Sequence, residues 1–262
     1  MAPLLLVIYF GGVWLFLLAL LISIIGLDEF YKGFENLGYK PAKLLGELLT
    51  IILFISIRPY LFTQPEEYSR LSTIFFVFIW FFIAVAASCI YGFRVSKVKL
   101  NDVLSTIVGL VYIPFFACHM VILGESDYSK LLWIIVIAAF GQDICAYFIG
   151  YFLGKHKMAP ILSPKKTIEG AIGGLLGSTL LSGLFGYFFY KEQLLLCFIL
   201  GLLGGAAGMA GDLTASMFKR HMGIKDYGNL IPGHGGIMDR FDSILFTAPV
   251  VFYLAMILNG VF

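Results

Sequence analysis

The chain has 262 residues, 60% of them hydrophobic and 13% charged, with a mean hydropathy of +0.94. That composition excludes an ordinary soluble domain and marks a polytopic membrane protein. A formal net charge of +2, with lysines scattered among loops rather than massed on one basic face, implies no nucleic-acid partner.

A bilayer core about 30 Å thick takes about 20 apolar residues per helix. Runs of that length predict eight spans, near residues 4–26, 44–62, 72–93, 103–123, 131–153, 168–190, 194–214 and 241–262. The opening stretch, MAPLLLVIYFGGVWLFLLAL, lacks the basic segment and small-residue cleavage site of a signal peptide and reads as a retained span. Gly11 and Gly12 at its middle allow it to break into two half-helices, and the 44–62 run carries Glu47 and Arg58 inside its limits. The spans at 168–190 and 194–214 repeat glycine at helical spacing, Gly170 with Gly174, Gly173 with Gly177, Gly201 with Gly205 and Gly204 with Gly208. Small residues four apart let helix backbones approach closely in lipid, so these two spans belong in the protein interior. The four cysteines, Cys89, Cys118, Cys145 and Cys197, sit inside apolar runs without CxxC spacing and read as packing residues. The expected fold is all-α, a single transmembrane domain over 1–262 with an N-terminal helical part to about residue 125 and a catalytic part from about 126.

Orientation follows from lysine and arginine, which cytoplasmic loops retain. Lys32, Lys40 and Lys43 fall in the first loop, Arg94, Lys97 and Lys99 in the third, Lys155, Lys157, Lys165 and Lys166 in the fifth, and Lys219, Arg220, Lys225 and Arg240 in the seventh. Only Arg58, Arg70, Lys130 and Lys191 lie elsewhere. The odd loops are therefore expected on the cytoplasmic side, with both termini outside unless a broken first span returns the N-terminus inward.

Acidic residues stand within or against the apolar runs: Asp143 in AAFGQDICAYF, Asp212 in GMAGDLTASMFKR, and Asp239 with Asp242 in MDRFDS. A carboxylate at a helix centre costs about 2.5–3.5 kcal/mol on insertion scales, so such residues face a bundle interior or a watery cavity. Asp239 and Asp242 can cap the last helix, where the macrodipole favours acids. Their i, i+3 spacing also puts both carboxylates on one face, and Asp212, Ser216 and Lys219 form a second stripe at i, i+4 and i+7. Oxygen-only donors of this kind suit magnesium, which takes one or two carboxylates and completes its shell with water and substrate phosphate. Lys165, Lys166, Lys219, Arg220, Lys225 and Arg240 lie on the same expected side. Each is explained singly by topology; together with the acids they fit a charge-dense anion such as a triphosphate.

IPGHGGIMDR sets Pro232, Gly233, His234, Gly235 and Gly236 before a helix start, a plain turn or a phosphate cradle. LSPKKTIEG does the same with Ser163, Lys165, Lys166 and Thr167, where Ser163 or Thr167 can also cap the helix. Phosphate-loop, HExxH and GxSxG motifs are absent. His119, alone in an apolar run, reads as a packing or hydrogen-bonding residue.

Taken whole, residues 216–243 resemble the signature of the phosphatidate cytidylyltransferase family, also called CDP-diacylglycerol synthases. Ser216, Lys219, Arg220, Lys225, Asp226, the run from Pro232 to Gly236, Asp239, Arg240 and Asp242 match it without a gap. SPKKTIEG and QDICAYFIGYFLGKHK look like further family blocks, with Ile144 and Cys145 where Thr-Gly commonly follows the acid. The resemblance implies that CTP and phosphatidic acid become CDP-diacylglycerol and pyrophosphate with Mg2+. It implies a metal site of Asp212, Asp239 and Asp242, with Lys219 and Arg220 catalytic beside it. Ser163, Lys165, Lys166, Thr167, Ser216, Lys225, His234, Gly235, Gly236, Arg240 and Asp143 would bind substrate. One or two divalent cations, a monovalent one beside them and a homodimer are all compatible with it. The implied setting is the inner membrane of a bacterium, with the site on the cytoplasmic side and the lipid drawn from the inner leaflet. A CTP-dependent lipid-alcohol kinase and a cation-coupled transporter are the alternatives; the second predicts inverted symmetry between halves, which the sequence does not display.

Overall fold

The computed structural model describes residues 2–58, 70–230 and 235–258. Its helices are α1 (Ala2–Phe10), α2 (Gly12–Glu35), α3 (Lys43–Ser56), α4 (Arg70–Gly92), α5 (Leu100–Leu110), α6 (Phe116–Gly124), α7 (Leu132–Leu153), α8 (Ile168–Phe189), α9 (Leu194–His221) and α10 (Met238–Leu258). Seven helical stretches among the described residues are long and apolar enough to cross a membrane. The protein is a multi-pass, all-α membrane protein. The expected break falls at Gly11, whose φ of 61° and ψ of −154° no side chain adopts without strain, followed by Gly12 at φ 52°. The run at 44–62 departs from expectation: it gives α3, 14 residues long, too short for an upright span. Its Arg58 lies beyond α3 and pairs with Glu125 at 3.1 Å, both nearly buried. Residues 59–62 lie outside the described residues.

The chain divides into two compact units, Met1–Asp127 with Met222–Arg240, and Tyr128–His221 with Phe241–Phe262. In the first, α2 is the central element, packed on α3, α5 and α6. The span at 100–124 is not one uniform helix. Pro114 cannot donate to the ladder, and a single π-helical turn at Val111–Phe115 absorbs the mismatch between α5 and α6. His119 is buried in α6 and bonds the Phe115 carbonyl 2.8 Å away, at the end of that π-helical turn. Tyr31 donates to the Thr106 carbonyl at 2.9 Å, tying α2 to α5.

The second unit is built on close approach. α7, α8 and α9 pack against one another because their glycines leave no side chain in the way. A Cβ on Gly174 would strike the Gln142 carbonyl and Ala146 of α7, and one on Gly201 would strike the Ser178 carbonyl and Ser182 of α8. Thr247 of α10 donates to the Gly204 carbonyl at 3.0 Å. Between α7 and α8 the chain forms a feature that the all-α expectation lacks, a small antiparallel hairpin of β1 (Lys157–Ala159) and β2 (Ser163–Thr167). It keeps the SPKKT segment extended until Thr167 caps α8, accepting from the Gly170 N–H at 3.1 Å. All four cysteines are free; Cys118 and Cys197 are buried, Cys145 is half-buried, and Cys89 is exposed.

Candidate active site

Four elements of the second unit bring polar side chains to one place. α7 supplies Asp143, β2 supplies Ser163, Lys165 and Lys166, the start of α8 is set by Thr167, and α9 supplies Asp212; all six line one cavity of about 640 Å³. Lys166 forms an ion pair with Asp212. Ser216, one turn on from Asp212, donates to its carboxylate at 3.5 Å. The tight packing of α9 on α10 has a direct consequence here: Gly211 lies against the Asp242 carbonyl, so Asp242 enters buried, at 7% exposure. Ser243 then connects two acids. Its hydroxyl donates to Asp143 at 3.3 Å and lies 3.5 Å from Asp242, whose carboxylate also accepts the Ser243 N–H at 2.7 Å. Asp212 lies within Coulombic reach of both Asp143 and Asp242, as Lys166 does of Asp143 and Lys219 of Asp242.

Three carboxylates in mutual electrostatic range repel one another, and the lysines offset only part of that. The donor set is carboxylate and hydroxyl oxygen throughout, which fits a hard cation and not a thiophilic one. Among the described residues, no group of three or more His, Cys, Asp or Glu is placed to hold a metal ion by itself or otherwise stands out as a metal site.

Other expected residues sit differently. Arg220 donates to the Leu162 carbonyl at 3.3 Å, so its guanidinium braces the hairpin. In the first unit Asp239 accepts the Tyr227 N–H at 2.8 Å and the Gly236 N–H at 3.0 Å, acting as the cap that its place at a helix start allows. Lys225 and Arg240 are exposed there, and Gly235 takes a φ of 81°. His234 lies outside the described residues, with Pro232 and Gly233. Two buried polar residues escaped the sequence reading. Ser243 follows a motif acid and carries no signal of its own. Glu29 lies just past the first apolar run, where an acid reads as interfacial, yet it is 6% exposed.

Residues 1–258 match the model of the Cytidylyltransferase family. The chain belongs to that family. Among relatives, the phosphatidate cytidylyltransferase of Synechocystis sp. is 32% identical over 281 residues, covering 94% of this chain and 90% of that protein. The phosphatidate cytidylyltransferase of Staphylococcus haemolyticus is 32% identical over 250 residues, covering 94% of this chain and 91% of its own. That of Staphylococcus aureus is 48% identical over 111 residues, covering 42% of each chain. As a cytidylyltransferase, the protein is a nucleotidyl-transferring enzyme, and the cavity holding acids and lysines together is the feature of the second unit suited to a charged nucleotide.

Proposed function

We propose that this cytidylyltransferase converts CTP and phosphatidic acid into CDP-diacylglycerol and pyrophosphate. The observation that carries the reading is the Lys166–Asp212 pair at the wall of the cavity, beside Asp143, Ser163 and Lys165, within a chain whose near full-length relatives bear that activity in their names. A phosphate oxygen of phosphatidic acid attacks the α-phosphorus of CTP in line, the bond to the β-phosphate oxygen breaks, and pyrophosphate leaves. The attacking oxygen is already anionic, so positioning and charge compensation matter more than a strong base.

Asp212 and Asp242 would hold one or two divalent cations, with Asp143 tied in through Ser243, and Asp239 would join them on the motif alone. A bound Mg2+ would neutralise phosphate charge and polarise the phosphorus–oxygen bonds. Lys165 and Lys166 bind triphosphate oxygens, and arrival of CTP exchanges the Lys166–Asp212 contact for Lys166–phosphate. Ser163 and Ser216 donate to remaining oxygens, while Thr167 holds the start of α8. From the motif, Lys219, Arg220, Lys225, His234, Gly235, Gly236 and Arg240 complete the anion-binding shell. Tyr147 and Tyr151 line the same cavity yet are 67% and 73% exposed, their rings stacked 6.4 Å apart, which gives the lipid a lateral way in. The active site faces the cytoplasm of a bacterium and draws phosphatidic acid from the inner leaflet, on the distribution of basic residues.

The test uses purified protein in detergent with phosphatidic acid, Mg2+ and CTP labelled in parallel at the α- or the γ-phosphate. The α-label should enter the lipid and the γ-label should appear as pyrophosphate. Transfer of the γ-label to a lipid alcohol, with CDP as the other product, would establish a kinase instead.

A further inference from the structure

We propose that Glu29 of α2 is a positioning residue for this reaction, fixing the first turn of α10 from more than 200 residues away. The inference rests on the function proposed above. Its carboxylate accepts the Ile237 N–H through Oε1 at 3.1 Å and the Met238 N–H through Oε2 at 2.9 Å. These N–H groups open α10, where no carbonyl of the same helix can reach them. Burying a carboxylate is costly unless donors meet it, and the positive end of a helix dipole is where an anion gains most from them. The two N–H groups offset part of the cost of burying Glu29, and the carboxylate in turn gives both of them an acceptor.

The surroundings are shaped for this contact. A Cβ added to Gly228 or Gly236 would run into the Glu29 carboxylate, so a side chain at either position would have to push the acid aside. Gly236 in turn donates its N–H to Asp239, which also accepts from Tyr227. Two carboxylates thus hold four backbone N–H groups, Tyr227 and Gly236 on Asp239, Ile237 and Met238 on Glu29. Asp239 is therefore aimed by a backbone that Glu29 clamps. Phe30, the next residue of α2, packs its ring 5.9 Å from that of Tyr227 and keeps the same segment against the helix. Glu29 touches no reacting atom in this account. Its effect reaches the chemistry through the placement of Asp239 and of the helix start behind it.

Glu29→Gln keeps the size and one acceptor but turns an amide NH2 towards a backbone N–H. Glu29→Asp keeps the charge but falls one methylene short. Two readouts apply to both variants in detergent: hydrogen exchange at the 235–240 backbone, and the Mg2+ dependence of CTP turnover with phosphatidic acid. The wild-type enzyme should protect the Ile237 and Met238 amides, and Glu29→Gln should speed their exchange. The same variant should lower kcat by roughly tenfold or more and raise the Mg2+ concentration for half-maximal rate, since small displacements of a site acid cost catalysis steeply. Glu29→Asp should fall between the two. Gly228→Ala, which presses on the same carboxylate from the loop, should reproduce the shift in Mg2+ dependence. A purely structural role would reduce yield and melting temperature and leave kcat and the Mg2+ midpoint of the folded fraction unchanged, which would overturn the proposal. So would unaltered exchange at Ile237 and Met238. A wild-type protein that makes no cytidine lipid from CTP would instead sink the function on which the proposal rests, whatever the exchange shows.

Discussion

Asp212 is the residue on which most of the proposed chemistry converges. It meets Lys166, accepts from Ser216, and lies in the field of Asp143 and Asp242. Asp143 and Asp242 share the Ser243 hydroxyl, so removing that hydroxyl should disturb both acids without changing any charge. Ser243→Ala is expected to keep the protein folded and to raise the Mg2+ concentration for half-maximal rate by roughly 10-fold or more, in line with the 10- to 100-fold losses typical of outer groups that orient ligands; a titration of rate against Mg2+ measures it. Lys166→Met removes the cation that holds Asp212 before CTP arrives. It should raise KM for CTP more than it lowers kcat, and a variant whose KM is unmoved would remove Lys166 from the nucleotide site. The sequence singled out Asp143, Asp212 and Asp242 because charge in an apolar run is costly and therefore conspicuous. Ser243 was invisible for the opposite reason: serine in a membrane helix is cheap, and only its two neighbours give it meaning.

At the scale of elements, hydropathy located the spans well where the helix and the apolar run coincide. The predicted 131–153 and 168–190 differ by a residue from α7 and α8. It ended α9 too early, at 214, because the helix continues to His221 with polar residues after leaving the apolar stretch. The same reasoning misjudged α2, which runs to Glu35, and so left Glu29 outside the helix that presents it. Hydropathy reports lipid contact, whereas helix length is set by hydrogen bonding and packing. The glycine spacing was a better guide to contact, since α8 and α9 do pack closely through their glycines, but α8 is not an interior helix: Ile172, Leu176, Leu180 and Leu184 leave its other face exposed. Gly201→Leu should therefore force the two helices apart and abolish stable insertion, measured as loss of the monodisperse detergent-purified protein. The hairpin could not be read, because β1 and β2 are short, polar and lack alternation. Its exit depends on the Thr167 cap, and Thr167→Val should cost about 1 kcal/mol, the usual worth of such a cap. That loss is read as a lowered melting temperature, with Thr167→Ser restoring most of it.

For the molecule as a whole, the family, the all-helical membrane architecture and the class of reaction were legible because a contiguous motif and a hydropathy pattern both survive in one dimension. The gathering of α7, β2, α9 and α10 side chains was not, because it depends on which glycines face which helices. The basic residues supply a further expectation, that the 155–166 and 219–225 segments lie on the cytoplasmic side. Single cysteines at exposed Lys157 and Lys225, in a background lacking the native four, should react with a membrane-impermeant thiol reagent only in inside-out vesicles. Labelling of either in right-side-out vesicles would reverse the assigned orientation. The central proposal is narrower, that the carboxylates around Asp212 would carry a divalent cation. Mn2+ bound to the purified protein in the presence of CTP, followed by electron paramagnetic resonance, tests it most directly. The wild-type enzyme should retain the ion, and Asp212→Asn and Asp242→Asn, although folded and inserted, should lose it together with turnover. Undiminished Mn2+ binding in both variants would contradict the account.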